Sequence, residues 1–262
     1  YAPRCKRHIT TQASISNSVT ANAWDDLGAS RVILARELSL EEIRTIREKT
    51  PAELEIEAFV HGAMCVSYSG RCLLSNYMTG RDASRGACAQ PCRYHYALME
   101  EKRPGEYFPI EEDEKGSYIL NSRDMCMIDH LDDLMDAGLS SLKIEGRAKS
   151  AYYAAIVTGA YRHCLDDAAA GRPIDPVWRD EVEQVSHRPY ATGFYYGYPG
   201  QYYENSRYIR EWQVVALVTE CDEAGNAVIS LRNKFRTGDT VELVGPDLRP
   251  FAVTVPEMRD EN

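Results

Sequence analysis

The chain has 262 residues, 44% of them hydrophobic, a formal net charge of −10 and eight cysteines. That apolar content excludes a disordered chain and fits one large domain or two ordinary ones. The acidic balance excludes a protein that coats nucleic acid nonspecifically, because such binding rests on Lys and Arg neutralising phosphates. There is no run of about eighteen apolar residues to span a membrane. Nor does a charged segment lead into an apolar run at the N-terminus, so a cytoplasmic protein is expected.

In chain order, residues 8–14 read as a strand and 19–27 as a helix. Residues 31–35 and 40–48 repeat that pair, and 54–59 follow as a strand. Ser39 with Glu42 three residues on makes a capping box for the second helix. Residues 62–117 break the rhythm with Gly, Pro and Arg and read as a long functional excursion. The alternation resumes with a strand at 118–120, a helix at 125–137 capped by Asn121 or Ser122, a strand at 141–145 and a helix at 151–170. Strand–helix alternation of this kind predicts a parallel α/β domain. After Gly171-Arg172-Pro173 the texture changes. Residues 190–203 are rich in aromatics and Gly, and strands are expected at 213–220, 227–231, 240–244 and 251–255, around a turn at 223–226. This predicts a small antiparallel β-barrel domain over 185–262, behind an α/β domain over 1–172.

Four cysteines, Cys65, Cys72, Cys88 and Cys92, cluster in the excursion. Clustered cysteines without a secretory signal point to metal before disulfides. Four soft, anionic thiolates on Gly-rich loops suit an iron–sulfur cluster or structural zinc. The Cys88/Cys92 spacing fits the usual zinc pair and the Cys65/Cys72 spacing does not. Spacing alone leaves the metal open. Cys126 is a fifth candidate or an apolar contact at the start of a helix, and Cys5, Cys164 and Cys221 stand apart. No His-Glu-x-x-His helix and no Gly-x-Ser-x-Gly elbow occurs, and His61 near Cys65 is a weak sign of a nucleophilic cysteine. Arg71, Arg81, Arg85 and Arg93 give the cysteine region local positive charge, with Lys143, Arg147 and Lys149 further on.

Glu57-Ala58-Phe59-Val60-His61-Gly62-Ala63-Met64-Cys65, followed by Gly70-Arg71-Cys72-Leu73-Leu74-Ser75, resembles the signature of the U-32 family of collagenase-like peptidases. The likeness extends to Thr11-Gln12-Ala13 with Asn17, to Arg85-Gly86-Ala87-Cys88-Ala89-Gln90-Pro91-Cys92-Arg93, to Arg103-Pro104-Gly105-Glu106-Tyr107 and to Ser141-Leu142-Lys143-Ile144-Glu145-Gly146-Arg147. It covers nearly the whole chain. The resemblance implies a 4Fe-4S cluster on Cys65, Cys72, Cys88 and Cys92, although one branch of the family takes its fourth ligand from the position of Cys126. It implies oxygen-independent hydroxylation, most like the branch that makes 5-hydroxyuridine at the tRNA wobble position with prephenate as hydroxyl source. Peptidase activity is the family's older ascription, and a zinc-stabilised binding module is a third reading.

The family's catalytic domain resembles a TIM-like (β/α) barrel, with active groups at the C-terminal ends of strands. Glu57 and Glu145 follow β-rich runs and are expected to face that site, with Lys143 and Arg147 holding an anionic donor or a phosphate. Only about five strands can be counted and the first residue is Tyr1, so the expectation is the C-terminal part of a barrel whose N-terminal part lies outside this chain. The cysteine-rich segment is then an insertion at 62–117. For RNA, Arg85 and Arg93 are candidate contacts. Tyr195 and Tyr196, among the aromatics at 190–203 flanked by Arg188 and Arg207, are candidates to stack on unpaired bases.

Overall fold

The structure is a computed structural model that describes residues 5–65, 67–94, 97–98, 101–102, 104–105, 108–109, 122–200, 202 and 208–259. The expected strand at 118–120, Asn121, Arg103, Glu106, Tyr107, Tyr203 and Arg207 lie outside them. The strands are β1 (His8–Ile9), β2 (Arg31–Ile33), β3 (Glu55–Ala63), β4 (Ala97–Leu98), β5 (Phe108–Pro109), β6 (Asp124–Cys126), β7 (Ser141–Glu145), β8 (Tyr190–Ala191), β9 (Ala216–Cys221), β10 (Ala227–Leu231), β11 (Thr240–Val244) and β12 (Pro250–Thr254). The α-helices are α1 (Ser18–Asp26), α2 (Leu40–Glu48), α3 (Leu74–Thr79), α4 (Leu131–Asp136), α5 (Ala151–Ala169) and α6 (Val177–Gln184).

Contacts divide the chain into two compact units, Tyr1–Ala148 with His187–Ile209, and Lys149–Ser186 with Arg210–Asn262. The division departs from the sequence expectation in both directions. Residues 187–209 join the first unit because β8 pairs in parallel with β6. The helices α5 and α6 group instead with the β9–β10 and β11–β12 hairpins.

The first unit is a mixed α/β fold on a mainly parallel sheet of order β1-β2-β3-β6-β8, with β7 also paired to β3. Its hub is β3, buried along almost its whole length, as expected of a parallel strand covered on both faces. It runs in parallel with β2 and β7 and antiparallel to β6. Alternation puts Glu57 and Phe59 on one face of β3, opposite Ser141 and Lys143 of β7. A bulge between Phe59 and His61 then re-aims the end of the strand. Gly62 makes that bend possible: its φ is +105°, and a Cβ there would lie 2.2 Å from the Glu145 carbonyl oxygen. On the other face Ile56, Ala58 and Val60 are buried, together with Ile43 and Ile46 of α2. The capping box on α2 forms as expected, Ser39 N–H donating to Glu42 Oε2 at 2.8 Å and Glu42 N–H to Ser39 Oγ at 3.3 Å.

One local expectation fails. Met125 and Cys126, read as the start of a helix, form strand β6, and the helix begins only at Leu131. The apolar run 125–128 carries no clear period, and pairing with His61–Ala63 on one side and β8 on the other decides its form.

In the second unit, α6 was not foreseen. Its Trp178 is 2% exposed, stacks on His163 of α5 at 4.1 Å between ring centroids, and carries the Arg249 guanidinium 5.4 Å from its ring centre. Arg249 also pairs with Asp175 at 2.7 Å, and His163 Nε2 meets the Asp247 carbonyl at 2.7 Å. This clamp holds the helices to the loop between β11 and β12. Among the described residues the hairpins form separate two-stranded sheets and not a closed barrel.

Glu181 of α6 is 1% exposed, and among the described residues neither carboxyl oxygen has a hydrogen-bond partner. Burial pushes its pKa up to about 7, with Glu242 and Asp180 adding repulsion. A carboxyl whose pKa is raised on folding holds an extra proton in the folded state between the ordinary carboxylate range and about 7, so stability falls as pH rises through that window. The expected result is a denaturation midpoint that drops between about pH 5 and about pH 8, and a Glu181→Gln variant in which this part of the drop disappears.

Candidate thiol and cation site

Cys65, Cys72, Cys88 and Cys92 all line one cleft of about 120 Å³ in the first unit. The cleft lies at the C-terminal ends of the parallel strands. Thr10, Thr11 and Gln12 follow β1, Arg36 follows β2, Met64 and Cys65 follow β3, and Lys143, Glu145 and Arg147 come from β7 and the turn after it. Ligands in α/β sheets gather at this edge because the loops there are free to vary while the strands hold their bases fixed.

The loop from Cys65 to Cys72 is held down at its middle. Ser69 donates to Glu37 Oε1 through its N–H at 2.7 Å, and the Arg36 N–H donates to Ser69 Oγ at 3.3 Å. Gly70, at φ +74°, lies so close to the first βα turn that a Cβ would fall 2.3 Å from the Gln12 carbonyl oxygen. The second pair hangs from α3 and a short 3-10 turn, Pro91–Arg93. Ala89 N–H donates to Ser75 Oγ at 3.0 Å, and Gln90 N–H donates to Cys88 Sγ at 3.3 Å.

Arg93 ties the two arms together. Its Nη2 donates to the carbonyl of Met64, next to Cys65, at 2.9 Å. Its Nη1 pairs with Asp124 Oδ1 at 2.8 Å and reaches the Tyr208 hydroxyl at 3.3 Å. Arg188 N–H donates to the other Asp124 oxygen at 3.2 Å. Burial works against the Arg93 cation, and Asp124 with Tyr208 more than offsets it, so the guanidinium stays charged. Burial also pushes the Cys92 thiol up to about 11. Arg93 opposes that shift, and Cys65, Cys88 and Cys72 add to it, which marks the four sulfurs as electrostatic neighbours.

A second charged layer lies beneath the cleft. Glu57 accepts from Arg31 Nη1 at 2.9 Å and from Ser141 Oγ at 2.9 Å, and Lys143 Nζ stands 3.5 Å away. Phe59 carries two cations over its ring, Arg36 at 5.2 Å and Lys143 at 5.4 Å from the centroid. Glu145 Oε1 accepts from the Arg147 N–H at 2.9 Å. Of the four candidate catalytic residues, the fold brings Lys143, Glu145 and Arg147 to the cleft and keeps Glu57 below it, joined through Lys143.

Cys126 is 7% exposed on β6 and is not part of the cleft wall. The RNA candidates divide. Arg85 is on the surface, 3.4 Å from Asp82, and Tyr196 is exposed with its hydroxyl donating to Asp133. Arg93 and Tyr195 are buried at 8% and 6% exposure. Arg93 is paired with Asp124 and also lines the cleft, and Tyr195 donates its hydroxyl to the Phe59 carbonyl. Arg36 and Phe59 were missed as site residues. The signal available was their place at the C-terminal ends of two predicted strands.

Among the described residues no three Cys, His, Asp or Glu side chains are grouped closely enough to hold a metal ion, so the thiols ring the cleft and do not meet at one point. The donor chemistry nevertheless fits a thiophilic centre: four half-buried sulfurs around one cavity, a hydrogen-bond donor on one of them and a buried cation beside another.

These features define an α/β protein with a thiol-lined site at the strand ends. The family description "Peptidase family U32" matches residues 1–205 and "Peptidase family U32 C-terminal domain" matches residues 210–262. The chain belongs to peptidase family U32. It is 39% identical to "tRNA hydroxylation protein P" of Escherichia coli over 93% of this chain and 63% of that protein. It is 38% identical to "tRNA hydroxylation protein P1" of Bacillus subtilis over 100% of this chain and 63% of that protein. A shorter match, 40% identical over 63% of this chain, covers 24% of the Escherichia coli "23S rRNA 5-hydroxycytidine C2501 synthase". The chain thus spans 63% of the length of the two tRNA relatives. No solved structure matches it significantly.

Removing one partner of the Arg93–Asp124 pair strands a buried charge. Arg93→Ala is expected to cost about 3–5 kcal/mol in denaturant unfolding. An Arg93→Met/Asp124→Leu double variant is expected to lose less than either single change. A double-variant loss equal to the sum of the two single losses would show that the pair is not coupled.

Proposed function

We propose that this chain is the catalytic portion of an oxygen-independent RNA hydroxylase with a 4Fe-4S cluster on Cys65, Cys72, Cys88 and Cys92. The substrate proposed is the wobble uridine of tRNA, converted to 5-hydroxyuridine, with prephenate as the hydroxyl source. The observation that carries the reading is the meeting of four thiols and four cations, Arg36, Arg93, Lys143 and Arg147, in one cleft at the strand ends. Relatives named for hydroxylation of tRNA and for a hydroxycytidine in rRNA support the reaction class.

The cluster would supply one-electron redox chemistry. The chain's own residues do the rest. Lys143 and Arg147 draw in an anionic co-substrate, Arg by a bidentate fork and Lys as a point charge. Glu57, itself held by Arg31 and Ser141, sets the position of Lys143. Phe59 gives the cleft an apolar floor under the two cations that flank it. The peptidase reading finds less support. His61, the histidine nearest Cys65 in sequence, is 1% exposed with its Nε2 3.3 Å from the Tyr190 hydroxyl, an arrangement that serves packing and not a nucleophile.

Full-length protein purified without oxygen is expected to be brown, with about four irons per chain. Cys88→Ala and Cys92→Ala should each lose that iron, while Cys126→Ala keeps it. Colourless protein with stoichiometric zinc would remove the cluster from the proposal. For the substrate, mass spectrometry of tRNA nucleosides from a deletion strain should show loss of 5-hydroxyuridine, and an unchanged level would count against tRNA.

A further inference from the structure

A second recess, of about 90 Å³, lies against the thiol cleft in the same unit. The two share a wall, Met64 and Cys65, so whatever fills the recess lies on the far side of the first thiol from the cations. Its other walls are Ser122 and Arg123 just before β6, and Phe194 and Tyr198 after β8. A turn closed by Gly197 N–H to the Phe194 carbonyl at 3.1 Å brings these two aromatics together, edge to face at 6.0 Å between centroids. Tyr198 remains 73% exposed, the largest apolar surface offered at the rim. Arg123 Nε is buried, and among the described residues it has no hydrogen-bond partner. Asp124, at the base, is already engaged by Arg93 and Arg188.

We infer that this recess receives a single unpaired pyrimidine base of the RNA substrate, stacked on the Phe194/Tyr198 pair with a ring carbonyl accepting from Arg123 Nε. The inference rests on the RNA reading above. A phosphate would require more than one guanidinium beside a carboxylate. A flat, neutral ring with carbonyl oxygens matches an aromatic edge and one unmet donor. The small volume favours one ring over the two of a purine. Enzymes that act on a base must take it out of its stack into such a pocket. The shared wall then places that base beside Cys65, and the anionic co-substrate on the other side among Arg36, Lys143 and Arg147. Tyr196, with its hydroxyl committed to Asp133, and the buried Tyr195 leave Phe194 and Tyr198 as the aromatics that face the recess among the described residues.

The test is fluorescence anisotropy with the full-length protein and labelled single-stranded RNAs that differ only at a central position bearing uridine, adenosine or an abasic ribose. Uridine is expected to bind roughly tenfold or more tighter than the abasic strand, the worth of one base stacked on aromatics. A Phe194→Ala/Tyr198→Ala variant should abolish that advantage, Tyr198→Phe should keep it, and Arg123→Gln should narrow the preference for uridine over adenosine. Thermal melting of each variant controls for misfolding. Equal binding of uridine and abasic strands, or an advantage that survives the double alanine change, would overturn the base pocket while leaving the RNA reading intact. Failure of every RNA to bind, with binding of a labelled peptide instead, would overturn both.

Discussion

The buried pair between Arg93 and Asp124 is the constraint on which the site depends. A cysteine-bearing excursion from a sheet has no regular backbone pattern to hold it, and loops of this kind are mobile unless something buried pins them. Here one guanidinium holds the carbonyl beside Cys65 and, through its own backbone, the turn that carries Cys92, while its charge is matched by Asp124 at the start of β6. A planar fork with several donors can meet a carboxylate, a carbonyl and a hydroxyl at once, and an ammonium cannot do so in fixed directions. The same cation lowers the cost of gathering four sulfurs that become anionic on binding a metal.

The sheet supplies the rest through alternation. Because successive side chains on a strand face opposite ways, Glu57 and Phe59 lie on the face shared by Ser141 and Lys143, while Ile56, Ala58 and Val60 go to the core. The bulge at Val60 and the close approach allowed by Gly62 then bring Glu145 to the rim instead of continuing the pleat. Charged residues low on the strands thereby support the charged residues at the rim. An ion network of this kind fixes a lysine more firmly than a surface pair would, since surface pairs contribute little.

The second unit follows a different logic. Trp178 between His163 and Arg249 is a packed aromatic with a cation on it, joining helix to hairpin, and nothing in it requires a ligand. Its apolar residues are spread over short two-stranded sheets, which leaves Leu217, Val218 and Phe251 about half exposed. In the same unit the Glu181 carboxyl is buried, and among the described residues it has no hydrogen-bond partner.

Much was legible in the sequence where the cause is local. The capping box at Ser39, the limits of α2, β7, β10 and β11 and the grouping of four cysteines in one excursion follow from residue type and spacing. The membership in the U32 family was legible too, because its motifs are long and ordered. What the sequence could not decide is what distant segments do to one another. Pairing with β3 and β8 turned Met125 and Cys126 into a strand, and return to the sheet drew residues 187–209 away from the hairpins that follow them. Burial against Asp124 made Arg93 the tie of the site. Residue type determined that thiols and cations would matter, since soft ligands and positive charge are properties of side chains. Only the tertiary structure decided which of them share a cleft, because proximity across the sheet comes from strand register and long-range packing, which no local pattern encodes.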